Sequence, residues 1–348
     1  METCACFDPG YILQLLIGTQ QARALNTWLN NELKQIKPGI NHGFLSQNDL
    51  IWMKSGNGIL FPKDEKEGLK NISGCMEDLL ISLDGIRGLK KSLESFIRIL
   101  ASGARFIRLI CPQTDLPVDK TRTHLMVRLL RSILMSIQSE QILIVHPLVD
   151  GMDATVFWGN TQNEAHLVEN QGLQEVIFES LAVGNADLLI KKANGIKLPG
   201  LNTSYFNYCS FNNLPPDKKT PAALASLFMF SGLPAVDGLD ETSLPLTVFS
   251  LIKARQESAA FSPVSAMANL NLHPAVFSVI KIAPDIREMV VCLVNLSPNP
   301  LDFTMETEKS GFVSGVWTDL VKNSKVEVKP VWQVELGGYD ILWLSHSI

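Results

Sequence analysis

The feature that most constrains the fold of this chain is an alternation, from about residue 89 to 245, of short β-branched apolar runs with longer segments of helical period. That pattern is the signature of successive strand-helix units. Phe106 to Ile110 reads as a strand, and Thr121 to Ile137 follows as a helix with Leu125, Leu129, Ile133 and Ile137 on one face. Ile142 to Val145 is the next strand. Ala165 to Val168 is a third, before a helix on which Leu173, Val176, Ile177 and Leu181 align. Tyr205 to Ser210 and Leu233 to Val236 complete the series, with a helix from Pro221 to Phe230 between them. Spacings of roughly 25 to 40 residues fit the βα units of a parallel sheet or barrel.

Beyond about residue 265 the texture changes to short strand-like runs: Val276 to Ile282, Met289 to Val294, Phe312 to Trp317, Lys325 to Lys329 and Tyr339 to Ser345. Turn clusters such as Ser297-Pro-Asn-Pro300 and Gly337-Gly338 separate them, which predicts a small all-β domain of antiparallel strands. The front of the chain is less regular, with one helix expected from Tyr11 to about Ile36 and then a Gly- and Pro-rich stretch from Pro38 to Pro62. The expected class is therefore α/β, a partial or degenerate (β/α)8 barrel followed by an antiparallel β domain.

Composition narrows the function. With 46% apolar and 19% charged residues the chain can bury a sizeable core. Thirty basic against 35 acidic residues do not supply the clustered positive charge that nucleic acid requires. No basic residue precedes Arg23, so a secretory n-region is not expected, and no apolar run approaches the roughly 18 residues that span a bilayer. Six scattered cysteines are not a secreted disulfide framework. A cytoplasmic protein with reduced thiols is expected.

The segment Gly103-Ala-Arg-Phe-Ile-Arg-Leu-Ile110 resembles the fourth barrel strand of the α-amylase superfamily of glycoside hydrolases, where the pattern ends Arg-x-Asp. Thr123-His-Leu-Met-Val-Arg-Leu-Leu-Arg131 and Asn163-Glu-Ala-His-Leu-Val-Glu-Asn170 are similar to its sucrose-phosphorylase-like branch. Leu233-Pro-Ala-Val236 resembles the eighth barrel strand, and Leu251 to Pro263, with Arg255 and an Ala-Phe-x-Pro turn, the helix leading into the C-terminal β domain. Pro274-Ala-Val-Phe277 and Asp340-Ile-Leu-Trp-Leu344 look like strands of that domain. The resemblance runs in consistent order over about residues 70 to 345. It implies three divisions: 1–88 as a shortened barrel front with the remnant of an inserted loop domain, 89–264 as the C-terminal part of the barrel, and 265–348 as the β domain.

The same resemblance implies a retaining mechanism, with a carboxylate nucleophile and a carboxylic acid/base about 5 to 5.5 Å apart. The nucleophile position falls on Ile110, the acid/base position on His146, and the His-Asp pair after the seventh strand on Asn212 and Asn213. Arg108, which in the family orients the nucleophile, is kept. Catalytic groups are thus expected to be replaced at Ile110, His146 and Asn213, with Arg108 and Asn212 left as candidate substrate-binding residues. Only 109 residues precede Ile110, so the front strands are expected to be missing or cut down. The expected function is a degenerate homologue of an α-glucoside phosphorylase or hydrolase, inactive and binding sugar or a partner. The alternatives are an active enzyme on small α-glucosides and one half of a split barrel. The expected partners are an α-glucoside or sugar phosphate, and a second copy or another chain at an open barrel edge.

Other signals carry less. A strand arginine that neutralises a neighbouring acid is the default reading of Arg108, and a histidine satisfied by backbone groups that of His146. Asp115, Asp119, Asp150, Asp153 and Glu164 sit in loops on the face of barrel chemistry, where two of them could form an inverting pair about 6.5 to 9.5 Å apart. Surface acids are the default. His124 and His166 match family positions outside the carboxylate constellation. Cys4-Ala-Cys6 lacks a second ligand pair for zinc, Gly56-Asn-Gly58 lacks the strand-helix context of a phosphate loop, and the sequons at Asn71, Asn202 and Asn295 read as chance. No metal or cofactor is expected.

Overall fold

The computed structural model describes residues 8–36, 51–54, 57–60, 70–72, 76–82, 84–111, 117–138, 141–147, 154–159, 163–196, 204–211, 218–237 and 245–348. Six strands run parallel in chain order: β4 (Met76–Leu80), β5 (Phe106–Cys111), β6 (Ile142–Pro147), β7 (Leu167–Glu169), β8 (Ser204–Ser210) and β9 (Leu233–Asp237). On the far side β1 (Ile51–Lys54) lies parallel to β9, and β2 (Asn57–Leu60) and β3 (Lys70–Ile72) extend the sheet antiparallel. Helices α3 (Gly85–Ser102) and α4 (Pro117–Ser136) follow β4 and β5, a short 3-10 helix (Ala154–Trp158) lies between β6 and β7, α5 (Leu173–Val183) and α6 (Asp187–Asn194) both follow β7, and α7 (Lys219–Met229) and α8 (Leu246–Glu257) follow β8 and β9. This is a partial (β/α) barrel. Among the described residues the sheet does not close, and the outer edge of β4 has no strand partner.

The sheet is curled. Phe106 and Phe206 lie on β5 and β8, three strand positions apart, which in a flat sheet would be about 14 Å at the usual strand spacing. Their ring centroids are 6.4 Å apart. Alternate residues face opposite ways along each strand: Phe106, Ile144, Leu167, Phe206, Leu233 and Ala235 bury against one another inside the curl. Ile107, Leu109, Leu143, Val145 and Val168 face outward into a cluster with α3 and α4.

The front of the chain departs from expectation. Gly18, at φ 80°, splits the single helix expected over Tyr11 to Ile36 into α1 (Pro9–Ile17) and α2 (Thr19–Leu33). Asp8 caps the first, accepting from the Gly10 N–H at 2.8 Å. Ile12, Leu13, Leu16, Leu25 and Leu29 join the α3–α4 cluster, whereas Leu15 is half exposed. Residues 81 and 82 directly follow β4, a strand of the barrel sheet itself.

The C-terminal part holds a six-stranded antiparallel sheet in the order β10 (Ala266–Asn269), β11 (Val276–Ile282), β12 (Glu288–Asn295), β17 (Ile341–Ser347), β14 (Gly315–Asp319), β15 (Ser324–Val328). A pair, β13 (Leu301–Glu306) with β16 (Val331–Leu336), covers one face, closing a core around Val291, Leu293, Met305, Trp317 and Leu344. The other face, with Phe277, Val279, Cys292 and Trp343, packs on α7 and α8. Helix α7 is therefore buried all round, from Thr220 to Met229, and its Ala-rich sequence suits a helix held between two sheets. The Arg255 motif has a structural purpose: the buried guanidinium on α8 donates to the carbonyls of Phe261 at 2.7 Å and Gly232 at 3.0 Å, fixing the turn into the β domain.

Candidate functional site

Above the apolar floor, the inner face of the sheet turns polar at the C-terminal strand ends, where βα folds place their chemistry. The strand period puts one polar side chain from each parallel strand on this face: Asp78, Arg108, His146, Glu169, Tyr208 and Asp237 on β4 to β9 in turn.

These six groups are linked. Arg108 forms a two-pronged pair with Asp78, Nε to Oδ1 at 2.7 Å and Nη2 to Oδ2 at 2.8 Å, and its Nη1 lies 3.7 Å from Glu169 Oε2. The hydrogen bond to Asp78 is the main reason the guanidinium holds its proton more tightly than usual, against the opposing pull of burial. The Arg108 guanidinium also stands 5.7 Å from the ring centroid of Tyr208. His146 Nδ1 lies 2.8 Å from Glu169 Oε2, so a neutral imidazole carries its proton on Nδ1 and leaves Nε2 as the acceptor. Tyr208 donates to Asp237 Oδ2 at 3.2 Å. Burial first, and then the Asp237 carboxylate, push the phenol up to about 12, which keeps it a proton donor at neutral pH.

Ile110 and His146, both half-buried, are directly paired in register on β5 and β6, so two of the sequence-derived positions meet at the strand ends. Asn212 and Asn213 lie outside the described residues, as do Asp115, Asp150, Asp153, the side chain of Asp119, Cys4, Cys6, Gly56 and Asn202. Glu164 is no loop acid awaiting a partner. It is 1% exposed and held by His124 Nδ1 at 2.7 Å and Arg128 Nη2 at 2.8 Å, while His124 stacks on Phe157 at 4.6 Å. His166 accepts from the Leu143 N–H at 3.0 Å, and burial, with Arg131 nearby, lowers it to about 3. Asn295 is buried and donates to the carbonyls of Asn299 and Gly337, so its sequon serves a turn.

Sequence reasoning does not single out Asp78, Glu169, Tyr208 or Asp237. The structure adds these, three of them acids, to the mouth face. The available signal was strand phase: each lies an even number of residues from an inward apolar residue, as Tyr208 does from Phe206. No group of three or more His, Cys, Asp or Glu among the described residues could hold a metal ion, and no helix there is long and apolar enough to cross a membrane.

No family model matches the chain. Two curated relatives are glucosylglycerate phosphorylases. That of Escherichia coli (strain K12) is 29% identical over 200 residues, 53% of this chain and 35% of the relative. That of Spirochaeta thermophila is 20% identical over 370 aligned residues, 74% of this chain and 63% of the relative. The chain thus spans less than two thirds of either. Among solved structures, the α-amylase from H. orenii superposes with a TM-score of 0.58 at 14% identity, covering 76% of this chain and 65% of its own. The α-amylase of Geobacillus thermoleovorans gives 0.55 at 12% identity, with 73% and 62% covered. In sequence the chain is thus similar to part of these phosphorylases, and its fold is similar to that of the α-amylases.

Proposed function

We propose that the chain is a homologue of these phosphorylases that binds an α-glucoside at the strand ends without running the family's double displacement. One observation carries the reading: Ile110 and His146, at the positions where the resemblance implies nucleophile and acid/base, sit side by side in register. A branched hydrocarbon cannot form a covalent glycosyl intermediate. The acids nearby do not substitute for it, because Asp78 is bound by both prongs of Arg108 and Glu169 is shared by Arg108 and His146. The polar layer over an apolar floor suits recognition of sugar hydroxyls, for which the Tyr208 oxygen and the second Asp237 oxygen offer acceptors beside the bond between them.

The test is calorimetric titration with glucosylglycerate and sucrose beside an assay for glucose 1-phosphate release in phosphate buffer. Saturable binding, weakened at least tenfold by Tyr208→Phe with Asp237→Asn, and no phosphate ester formed, is the expected result. Turnover by the unmodified chain that disappears in His146→Ala or Glu169→Gln would overturn it.

A further inference from the structure

We infer that a groove between the barrel helices and the β domain, apart from the strand-end layer, is a binding site for a phosphorylated sugar. The groove has a volume of about 360 Å³, within the range of about 300 to 1,000 Å³ typical of small-molecule sites. Lys218, which caps the start of α7, lies in the groove with Thr247 and Ser250 from the first two turns of α8 and Lys322 from the β14–β15 turn. The β16–β17 turn contributes Tyr339 and Asp340.

Among the described residues neither Lys218 nor Lys322 makes an ion pair, and neither hydroxyl of Thr247 and Ser250 makes a hydrogen bond. Two unpaired ammonium groups and two free hydroxyls lining one concave surface supply what a phosphate dianion needs. The β16–β17 turn suits a polyol. The Tyr339 ring gives an apolar face, with Lys219 Nζ 5.8 Å from its centroid, and the Asp340 carboxylate can accept from sugar hydroxyls. That carboxylate also disfavours a bare phosphate, so the site asks for both halves of a sugar phosphate.

The walls are fixed before any ligand arrives. Asp319 Oδ1 accepts from the backbone N–H groups of Val321 at 2.9 Å and Lys322 at 3.2 Å, locking the turn that carries Lys322. The Gly337 N–H donates to Asp340 Oδ2 at 2.9 Å, and Asn295 donates to the Gly337 carbonyl at 2.8 Å, so the second turn is tied to the β-domain core. Tyr339 is held at φ 62°, a left-handed backbone rare for an aromatic residue.

The experiment titrates the full chain with glucose 6-phosphate, inorganic phosphate and glucose, and repeats the first titration on Lys218→Glu, Lys322→Glu and Arg108→Ala. Binding of glucose 6-phosphate at least tenfold tighter than either fragment, weakened tenfold or more by each lysine reversal and unchanged by Arg108→Ala, is expected. Both lysines are at the surface, so their variants fold; circular dichroism checks this. Absence of binding, equal binding of glucose, or sensitivity to Arg108→Ala alone would each overturn the groove site. The last result would assign the ligand to the strand ends instead, leaving that reading intact.

Discussion

Lys281 on β11 is fully buried where the β domain meets the barrel, with its ammonium bonded to the Met229 carbonyl at 3.1 Å and to Ser231 Oγ at 3.4 Å. No carboxylate pairs with it among the described residues, and burial, with Arg255 adding to it, lowers its pKa to about 7. At about 1.4 kcal/mol per pH unit, keeping this amine folded against its ordinary value of 10.5 costs on the order of 5 kcal/mol at neutral pH and below. The sign follows from linkage. Between about pH 7 and 10.5 the unfolded chain binds the proton that the folded chain has released, so stability rises with pH across that window and this contribution is flat below it. Lys281→Met keeps the volume and removes the charge. Ser231 Oγ retains its bond to the Ser265 carbonyl, so the new cost is mainly the Met229 carbonyl, about 1 to 3 kcal/mol. A net gain of about 2 to 4 kcal/mol is expected near pH 7, turning into a loss of about 1 to 3 kcal/mol near pH 10.5. Urea unfolding of both proteins at several pH values between 6 and 10.5 measures it (a window chosen to bracket roughly the shifted and ordinary values). Equal pH slopes for the two proteins, or a variant weaker than the parent at pH 7, would refute the reasoning.

If the chain is inactive as proposed, Ile110→Asp should produce no phosphorolysis in an assay for glucose 1-phosphate, since catalytic groups act as a unit and one restored acid does not rebuild the set. Glu164→Ala should lower stability by about 3 kcal/mol in denaturant titrations, because it leaves Arg128 and His124 without the buried carboxylate they share. Gly232→Ala should cost at least about 2 kcal/mol, as its Cβ would stand 2.7 Å from the Tyr205 carbonyl at a φ of 131°. The edge of β4, unpaired among the described residues, leads us to propose self-association at tens of micromolar, roughly the range of ordinary interfaces; a well-dispersed monomer in light scattering would count against it.

Elements whose apolar residues kept one period were readable from sequence. Strands β5, β6, β8 and β9 lie within a residue or two of their expected ranges because their inward and outward faces are both buried, giving continuous apolar runs. Strands β13 and β16 were missed for the opposite reason: their alternate residues, such as Asp302, Thr304, Gln333 and Glu335, face solvent and dilute the signal. Helix α6 is only eight residues long, and β10 is an exposed edge of four. At the candidate site, Arg108, Ile110 and His146 were legible through the resemblance. Glu169 was not, because it ends a strand of three residues, too short to set a phase. Asp237 follows an apolar run and looks like an ordinary turn residue until β9 is seen to extend through it.

The strand-end layer also has a structural role, which bears on how its acids should be read. Strand β4 has a neighbour on one side only among the described residues, and Leu80 near its mouth end is 65% exposed. The two-pronged bond from Arg108 to Asp78 ties this edge strand to β5, and the same guanidinium reaches past β6 to Glu169 on β7. With Asp78 half exposed, that pair is worth about 1 kcal/mol at most, yet it acts where backbone pairing is weakest. A guanidinium occupied in this way is poorly placed to activate a nucleophile, and a carboxylate neutralised by it is poorly placed to become one. The acids on β4 and β7 therefore fit a sheet that uses charge to hold an edge unpaired among the described residues, and under the binding proposed above Tyr208 and Asp237 are the groups left to meet a sugar.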